Sequence, residues 1–331
     1  MNFLQIKNKT SAAGALYMFG IILYFLISLL GGAVLSVLHC EGFIKTAISS
    51  LFAAAALGGV SLFSGKAYRS VFADRATGGD SDACGARFGL KEICGYKKFR
   101  AIYVLVAILI AAGIFAGFGF INTAFTNFLA RLGAKIPQSE IIVNSLAEYA
   151  VLTLTLAVLP AITEESFFRG AIAFGFAGTN IFVGAAFSGL IFALYHCSLA
   201  QLLYQFVYGA FLYVLAVKAG SVIPCVIAHF LNNFAILTLT FFNVKVDLYS
   251  PVLIVCGFAA LIVSAAILFL YERKTADREE IRNTGKGDKS GKERKPAAKE
   301  DKNGAVVKDF LLPFGIIGIL ACAATGILSV L

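Results

Sequence analysis

The sequence predicts an all-α polytopic membrane protein, a transmembrane helix bundle of about eight to nine spans. Of its 331 residues, 59% are hydrophobic and only 14% are charged, whereas a soluble domain is nearer half apolar and a quarter charged. The apolar residues fall into runs of about 20, the length that an α-helix needs to cross the hydrocarbon core. Gly (32 residues) and Phe (31 residues) are frequent, as is usual in packed membrane helices.

The predicted spans follow the apolar runs in chain order, and nine can be placed. The fourth begins near Ala147, and the others cover about 15–38, 43–65, 102–121, 181–197, 199–217, 222–243, 251–271 and 310–331. Between the third and fourth spans, residues 122–145 form a predicted loop. Its amphipathic piece, Phe125 to Leu132, has the pattern of a segment that lies in the membrane interface.

Four regions follow from this division. Residues 1–100 form an N-terminal two-span region with a basic cytoplasmic loop, and residues 101–271 form the core. Residues 272–309 are dense in charge and contain no aromatic residue, so we expect a disordered cytoplasmic loop. Residues 310–331 are predicted to form a C-terminal transmembrane helix.

The positive charge indicates an orientation rather than a nucleic-acid partner. Residues 66–100 carry eight Lys or Arg against four Asp or Glu, and residues 272–309 carry twelve Lys or Arg. Both segments fall on the same side of a nine-span topology, and a positive excess marks the cytoplasmic side. The sequence therefore predicts a multi-pass protein of the cell (plasma) membrane with a cytoplasmic N-terminus, whose partner is the lipid bilayer and which binds no nucleic acid.

Three charged residues interrupt the fourth span within Thr163 to Gly170. In hydrocarbon, each costs roughly 2.5 to 3.5 kcal/mol on an insertion scale. Glu165 and Arg169 are four residues apart and share a helix face, which predicts a structural ion pair. Glu164 points elsewhere and lacks a partner in its own helix. Pro160 has no N–H for the carbonyl of Leu156, so the helix should bend or loosen beside this carboxylate.

Two of the three histidines lie inside predicted spans. His196 shares a helix face with Phe192, and His229 shares one with Asn233. One alternative is that these groups only join helices by hydrogen bonds, each worth about 0.6 to 2 kcal/mol. Ser, Thr or Asn would do this at lower cost than a carboxylate. Together with Glu164, these groups are also the parts of a hydrolase, namely a base for water and donors for an oxyanion. The sequence contains neither His-Glu-x-x-His nor Gly-x-Ser-x-Gly, which leaves a water-activating glutamate.

Glu164-Glu165-x-x-x-Arg169, Phe192-x-x-x-His196 and His229-x-x-x-Asn233 occur in that order and resemble the CPBP family of intramembrane proteases. This family includes CAAX prenyl endopeptidases and bacterial relatives linked to bacteriocin self-immunity, and the resemblance covers about residues 147–240. It implies that Glu164 activates the attacking water, that His196 helps to position it, and that His229 and Asn233 bind the water or stabilise the oxyanion. Glu165 and Arg169 would be the structural pair.

The resemblance leaves the metal open, since the family has been described both as metalloendopeptidases and as metal-independent glutamate proteases. Glu164, His196 and His229 could supply a zinc site with an open position. We favour the mechanism with water alone, because Glu165 is expected to pair with Arg169.

The predicted function is an intramembrane endopeptidase that cleaves a hydrophobic or lipid-modified peptide or protein. Its active site is expected between helices in the cytoplasmic half of the membrane, because the predicted topology places Glu164 there. A non-catalytic membrane scaffold or immunity protein and a transporter with a proton relay are the alternatives. The sequence shows no internal duplication of the kind that many transporters have.

Overall fold

The computed structural model describes residues 8–73, 93–136, 142–284 and 302–328, and every regular element within these ranges is helical. We number the helices in chain order: α1 Lys9–Val37, α2 Gly42–Ala73, α3 Ile102–Arg131, α4 Leu146–Gly175, α5 Ile181–Tyr195, α6 Leu202–Ala219, α7 Ile223–Phe241, α8 Pro251–Thr284, α9 Lys302–Phe310 and α10 Ile316–Leu328. Helices α1 to α8 alternate in direction, so residues 38–41, 132–136, 142–145, 196–201 and 242–250 lie at one end of the bundle.

Seven helical segments of the described chain are long and apolar enough to cross a membrane. The remaining two predicted spans correspond to α5 and α10, which have 15 and 13 residues and fall short of the roughly 20 residues that a bilayer requires. Large apolar side chains also remain exposed along the long helices; Leu29 and Val252 are each 72% exposed. Surfaces of this kind face lipid or a partner rather than water. The architecture is that of a multi-pass membrane protein.

Two predicted loops are partly helical. Helix α3 continues without a break to Arg131, so residues 125–131 of the amphipathic piece form about its last two turns and not a separate interfacial segment. Helix α8 runs on to Thr284, and α9 begins at Lys302, so the prediction of disorder across 272–309 is wrong at both ends. A charged segment rich in Glu, Lys and Arg has good helix propensity, and it extends an existing helix without a nucleation cost. Residues 285–301 and 74–92 lie outside the described ranges.

Helix α4 departs from regular α-helical hydrogen bonding on both sides of Pro160. Residues Thr153–Val158 and Ser166–Ile172 form π-helical turns, as expected where a proline removes a donor. The carbonyl of Thr155 accepts a hydrogen bond from the Ser50 hydroxyl, and the carbonyl of Leu156 accepts one from the Asn233 amide at 3.1 Å. Neighbouring helices therefore satisfy the groups that the bend releases, as buried backbone atoms require.

Glycines allow α3 and α8 to touch backbone to backbone. A Cβ atom added at Gly257 would lie 2.2 Å from the backbone nitrogen of Gly117. Gly113 and Gly117 lie four residues apart and face the same helix, the small-residue spacing that brings membrane helices close together. This contact positions the half of α3 that borders the cavity described below.

We expect Gly257→Ala to lower the free energy of unfolding by about 1 to 3 kcal/mol, because the added methyl group meets backbone that cannot rotate away. Thermal unfolding in detergent measures the effect. Gly59→Ala is the matched control, since a Cβ at that helical position meets no atom within 4 Å. Equal melting temperatures for the two variants would contradict the proposed close contact.

Candidate active site

Glu164, His196, His229 and Asn233 line one cavity of about 850 Å³. They come from three separate regions of the chain, the middle of α4, the residue after α5, and α7. Helices α1, α2, α3 and α6 complete its wall through residues such as Tyr24, Ser50, Phe115 and Tyr208. A cavity of this size, largely apolar and with a few converging polar groups, is typical of ligand sites.

The Glu164 carboxylate projects into this cavity without a cationic partner. Its side chain is 12% exposed, and its Oε2 atom lies 4.0 Å from Nε2 of His229. Oε2 is buried and has no hydrogen-bond partner among the described residues. Its Oε1 atom accepts a long hydrogen bond of 3.5 Å from the Tyr195 hydroxyl. A buried carboxylate oxygen without a hydrogen-bond partner destabilises the fold. The position of Glu164 therefore suits a side chain that binds a ligand or water in the cavity.

Both cavity histidines are oriented through Nδ1. His196 Nδ1 lies 2.8 Å from the carbonyl oxygen of Phe192, and His229 Nδ1 lies 2.9 Å from Oε1 of Glu165. Because a carbonyl and a carboxylate accept hydrogen bonds, each Nδ1 donates, and in the neutral ring each Nε2 is an acceptor. Both histidines thus keep an acceptor nitrogen for a ligand. The contact between His229 and Glu165 was not predicted, because helix periodicity relates residues only within one helix.

Glu165 and Arg169 form an ion pair of 3.0 Å, and both side chains are fully buried. Nη2 of Arg169 donates to the carbonyl of Gly209 at 3.2 Å, and the guanidinium lies 4.1 Å from the ring centroid of Phe192. A Cβ at Gly209 would lie 3.2 Å from that nitrogen, so the glycine leaves room for the guanidinium. Several partners of this kind are what make a buried charge tolerable.

Asn233 belongs to a chain of hydrogen bonds that reaches α6. The Tyr204 hydroxyl donates to Oδ1 of Asn232 at 2.6 Å, and Asn232 donates to Oδ1 of Asn233 at 3.4 Å. Asn233 in turn donates to the Leu156 carbonyl. One of its two amide hydrogens is therefore used at the bend of α4, and the other is left for a ligand.

Sequence reasoning missed many of the polar groups in or beside the cavity; the four nearest to the predicted site residues are Tyr195, Tyr204, Tyr208 and Asn232. A weak signal existed for three of them. Tyr204 and Tyr208 are four residues apart in an apolar helix, and Asn232 precedes Asn233. No local pattern links Tyr195 to Glu164, because their contact joins two helices.

The possible metal site does not form in this geometry. Within 8–73, 93–136, 142–284 and 302–328, no three His, Cys, Asp or Glu side chains come together as a group that could hold a metal ion. Glu164, His196 and His229 consequently do not form the three-ligand set that a zinc ion with an open position requires. We therefore derive the chemistry from the chain's own side chains.

The cavity extends toward the end of the bundle that is predicted to lie outside the cytoplasm. From Glu164 it reaches Lys45, Gln201 and Leu248, which lie beside the loops at 38–41, 196–201 and 242–250. Lys45 and Gln201 are exposed there. The cavity therefore approaches the end of the bundle opposite to the N-terminus, although Glu164 lies in the half of α4 that is predicted to be cytoplasmic. Helix counting assigned Glu164 to a half of the membrane, but the surrounding helices decide from which end it is reached.

Comparison with known families agrees with the motifs. Residues 146–235 match the family model described as type II CAAX prenyl endopeptidase Rce1-like. This segment is similar to an Rce1-like domain. The matched segment contains Glu164, His196, His229 and Asn233, and the resemblance to the CPBP family is thereby confirmed. No curated protein and no solved structure matches the chain.

In the Rce1-like domain, we expect Arg169→Met to lower the free energy of unfolding by about 3 to 5 kcal/mol, because Glu165 would be left as a buried charge without its cation. Thermal unfolding of the purified protein in detergent provides the measurement. Arg131→Met, at the exposed end of α3, serves as the control and should change stability by less than about 0.5 kcal/mol. A melting temperature for Arg169→Met within error of the parent would show that the pair is not needed for folding.

Proposed function

We propose that this protein is an intramembrane endopeptidase in which Glu164 activates water for hydrolysis of a peptide bond. One observation carries the proposal. A buried carboxylate oxygen without a hydrogen-bond partner faces an acceptor nitrogen of His229 at 4.0 Å, inside a cavity that reaches the surface. That separation allows one water molecule to donate a hydrogen bond to each atom. The match to an Rce1-like family over residues 146–235 supports the same chemistry.

The side chains account for each proton in the reaction. Water donates one hydrogen to Glu164 and the other to His229 or His196, and it transfers the first to the carboxylate while its oxygen attacks the scissile carbonyl carbon. The resulting oxyanion accepts a hydrogen bond from the remaining N–H of Asn233. The C–N bond then breaks, and Glu164 returns its proton to the leaving amine. The products are a new carboxylic acid, which then releases its proton to solvent or to the amine, and a new amine, and Glu164 is regenerated as a base.

The substrate that we propose is a hydrophobic or lipid-modified peptide or protein segment. The family description implies prenylated protein substrates, and the apolar surroundings of the cavity suit such a chain. Hydroxyl and amide groups of Ser49, Asn122 and Gln201 line the same cavity and can hydrogen bond to an extended peptide backbone. Parallel cleavage assays on peptides with and without a prenyl group distinguish a lipid-directed enzyme from one that recognises the peptide alone.

We also propose a cytoplasmic N-terminus, so that the cavity opens to the opposite side of the membrane. Helices α2 and α8, in which the basic segments 66–100 and 272–309 begin, end away from the cavity mouth, and an excess of positive charge is the stronger topological signal. The substrate would then reach Glu164 from the non-cytoplasmic face or from the lipid.

Glu164→Gln should reduce cleavage of a susceptible peptide by about 10² to 10⁴-fold, because the amide keeps the shape of the side chain but cannot accept the proton from water. Mass spectrometry of products formed by the reconstituted protein measures the rate. Glu148→Gln, on the same helix but outside the cavity, is the control and should cleave at the parental rate. Parental activity in Glu164→Gln would refute the role of Glu164, whereas a parent protein that cleaves no peptide would favour a non-catalytic scaffold or a transporter.

In intact cells, a membrane-impermeant maleimide should label Cys40, which lies in the loop at 38–41 near the cavity mouth and is partly exposed. Cys40→Ser in the same background corrects for labelling of other thiols. A cysteine introduced as Lys218→Cys, at the opposite end of the bundle, should react only after permeabilisation. The reverse pattern would place the cavity mouth in the cytoplasm.

A further inference from the structure

Tyr208 carries a hydroxyl group that no interaction described so far uses. It lies on α6 and is 1% exposed, and its ring contributes to the wall of the cavity that holds Glu164. Its hydroxyl oxygen is buried and has no hydrogen-bond partner among the described residues. Buried tyrosine hydroxyls usually find a partner, and an unsatisfied buried polar group destabilises a protein. This feature calls for a partner that comes from outside the chain.

The surroundings of Tyr208 place it beside the reacting groups. Its ring centroid lies 6.1 Å from that of His229, at an interplanar angle of 75°. Its backbone precedes Gly209, whose carbonyl accepts the hydrogen bond from Arg169. Arg169 thereby holds the turn that carries Tyr208, while Glu165, paired with Arg169, holds His229. One ion pair connects both side chains to α4.

Two other tyrosines near the site already have partners. The Tyr195 hydroxyl donates to Glu164, and the Tyr204 hydroxyl donates to Asn232. The Tyr208 hydroxyl can donate to an incoming group without first breaking a bond within the protein. A donor that requires no reorganisation is what stabilises a developing negative charge most effectively.

We propose that Tyr208 is a further catalytic residue, whose hydroxyl donates a hydrogen bond to the carbonyl oxygen of the scissile peptide and to the oxyanion that this oxygen becomes. The proposal rests on the proposed protease function. It supplies a second donor beside Asn233, which uses one of its amide hydrogens at the bend of α4. No proton is transferred from Tyr208; it remains protonated through attack and collapse.

Tyr208→Phe tests the role directly, since it removes only the oxygen. We expect kcat to fall by about 10- to 10³-fold, the scale of losing one oxyanion donor, with a smaller change in KM. The melting temperature should stay the same or rise, because no bond within the protein is lost. Tyr213→Phe is the matched control on the same helix; Tyr213 lines a different cavity, and this variant should keep parental kcat.

A second measurement separates this proposal from the proposed function. A peptide aldehyde, whose hydrate resembles the tetrahedral intermediate, should bind Tyr208→Phe about 10-fold or more weakly than the parent, while the matching peptide alcohol should bind both equally. Parental kcat and parental aldehyde affinity in Tyr208→Phe would overturn the proposal, and so would a loss of activity accompanied by a lower melting temperature. Full activity in Glu164→Gln would instead overturn the protease mechanism, and the aldehyde affinities would still decide whether Tyr208 contacts the ligand.

Discussion

The site depends on the contacts that the buried carboxylate of Glu165 makes with Arg169 and His229. Its Oε1 atom lies 3.0 Å from Arg169 and 2.9 Å from His229, so a single oxygen links the side chains of α4 and α7. Arg169 extends the link to α6 through the carbonyl of Gly209. Burying these charges is costly unless each has several partners, and α4, α6 and α7 supply those partners together. The pair thus specifies how the helices meet, whatever it contributes to net stability.

The two adjacent glutamates of α4 have different surroundings. Helix geometry turns Glu164 and Glu165 about 100° apart, so one side chain faces the cavity and the other faces the buried network. The π-helical turns on either side of Pro160 release backbone groups that Ser50 and Asn233 bind. Asn233 therefore joins the bend to the cavity, and its position in a family motif reflects a structural duty as well as a chemical one.

Local sequence patterns predicted what lies within one helix and little of what lies between helices. The spacing of Glu165 and Arg169 and the missing donor of Pro160 are both properties of α4 alone, and the structure shows the corresponding contact and distortion. The Glu165–His229 contact and the free hydroxyl of Tyr208 depend on how α4, α6 and α7 pack, which no periodicity encodes. Charge density alone predicted a disordered loop, but Lys, Arg and Glu also have good helix propensity. Residues 272–284, the first part of the charged segment, accordingly continue α8.

Helix α5 is short in a way that matters for a hydrolase embedded in lipid. Its 15 residues span about 22 Å, against a hydrocarbon core of about 30 Å. A bilayer can adapt to so short a segment by thinning around it. His196 follows the end of α5 and lines the cavity, so thinning there would bring the aqueous boundary closer to the residues for which we propose hydrolysis. Water and an apolar substrate could then both reach the cavity without crossing the full depth of the bilayer.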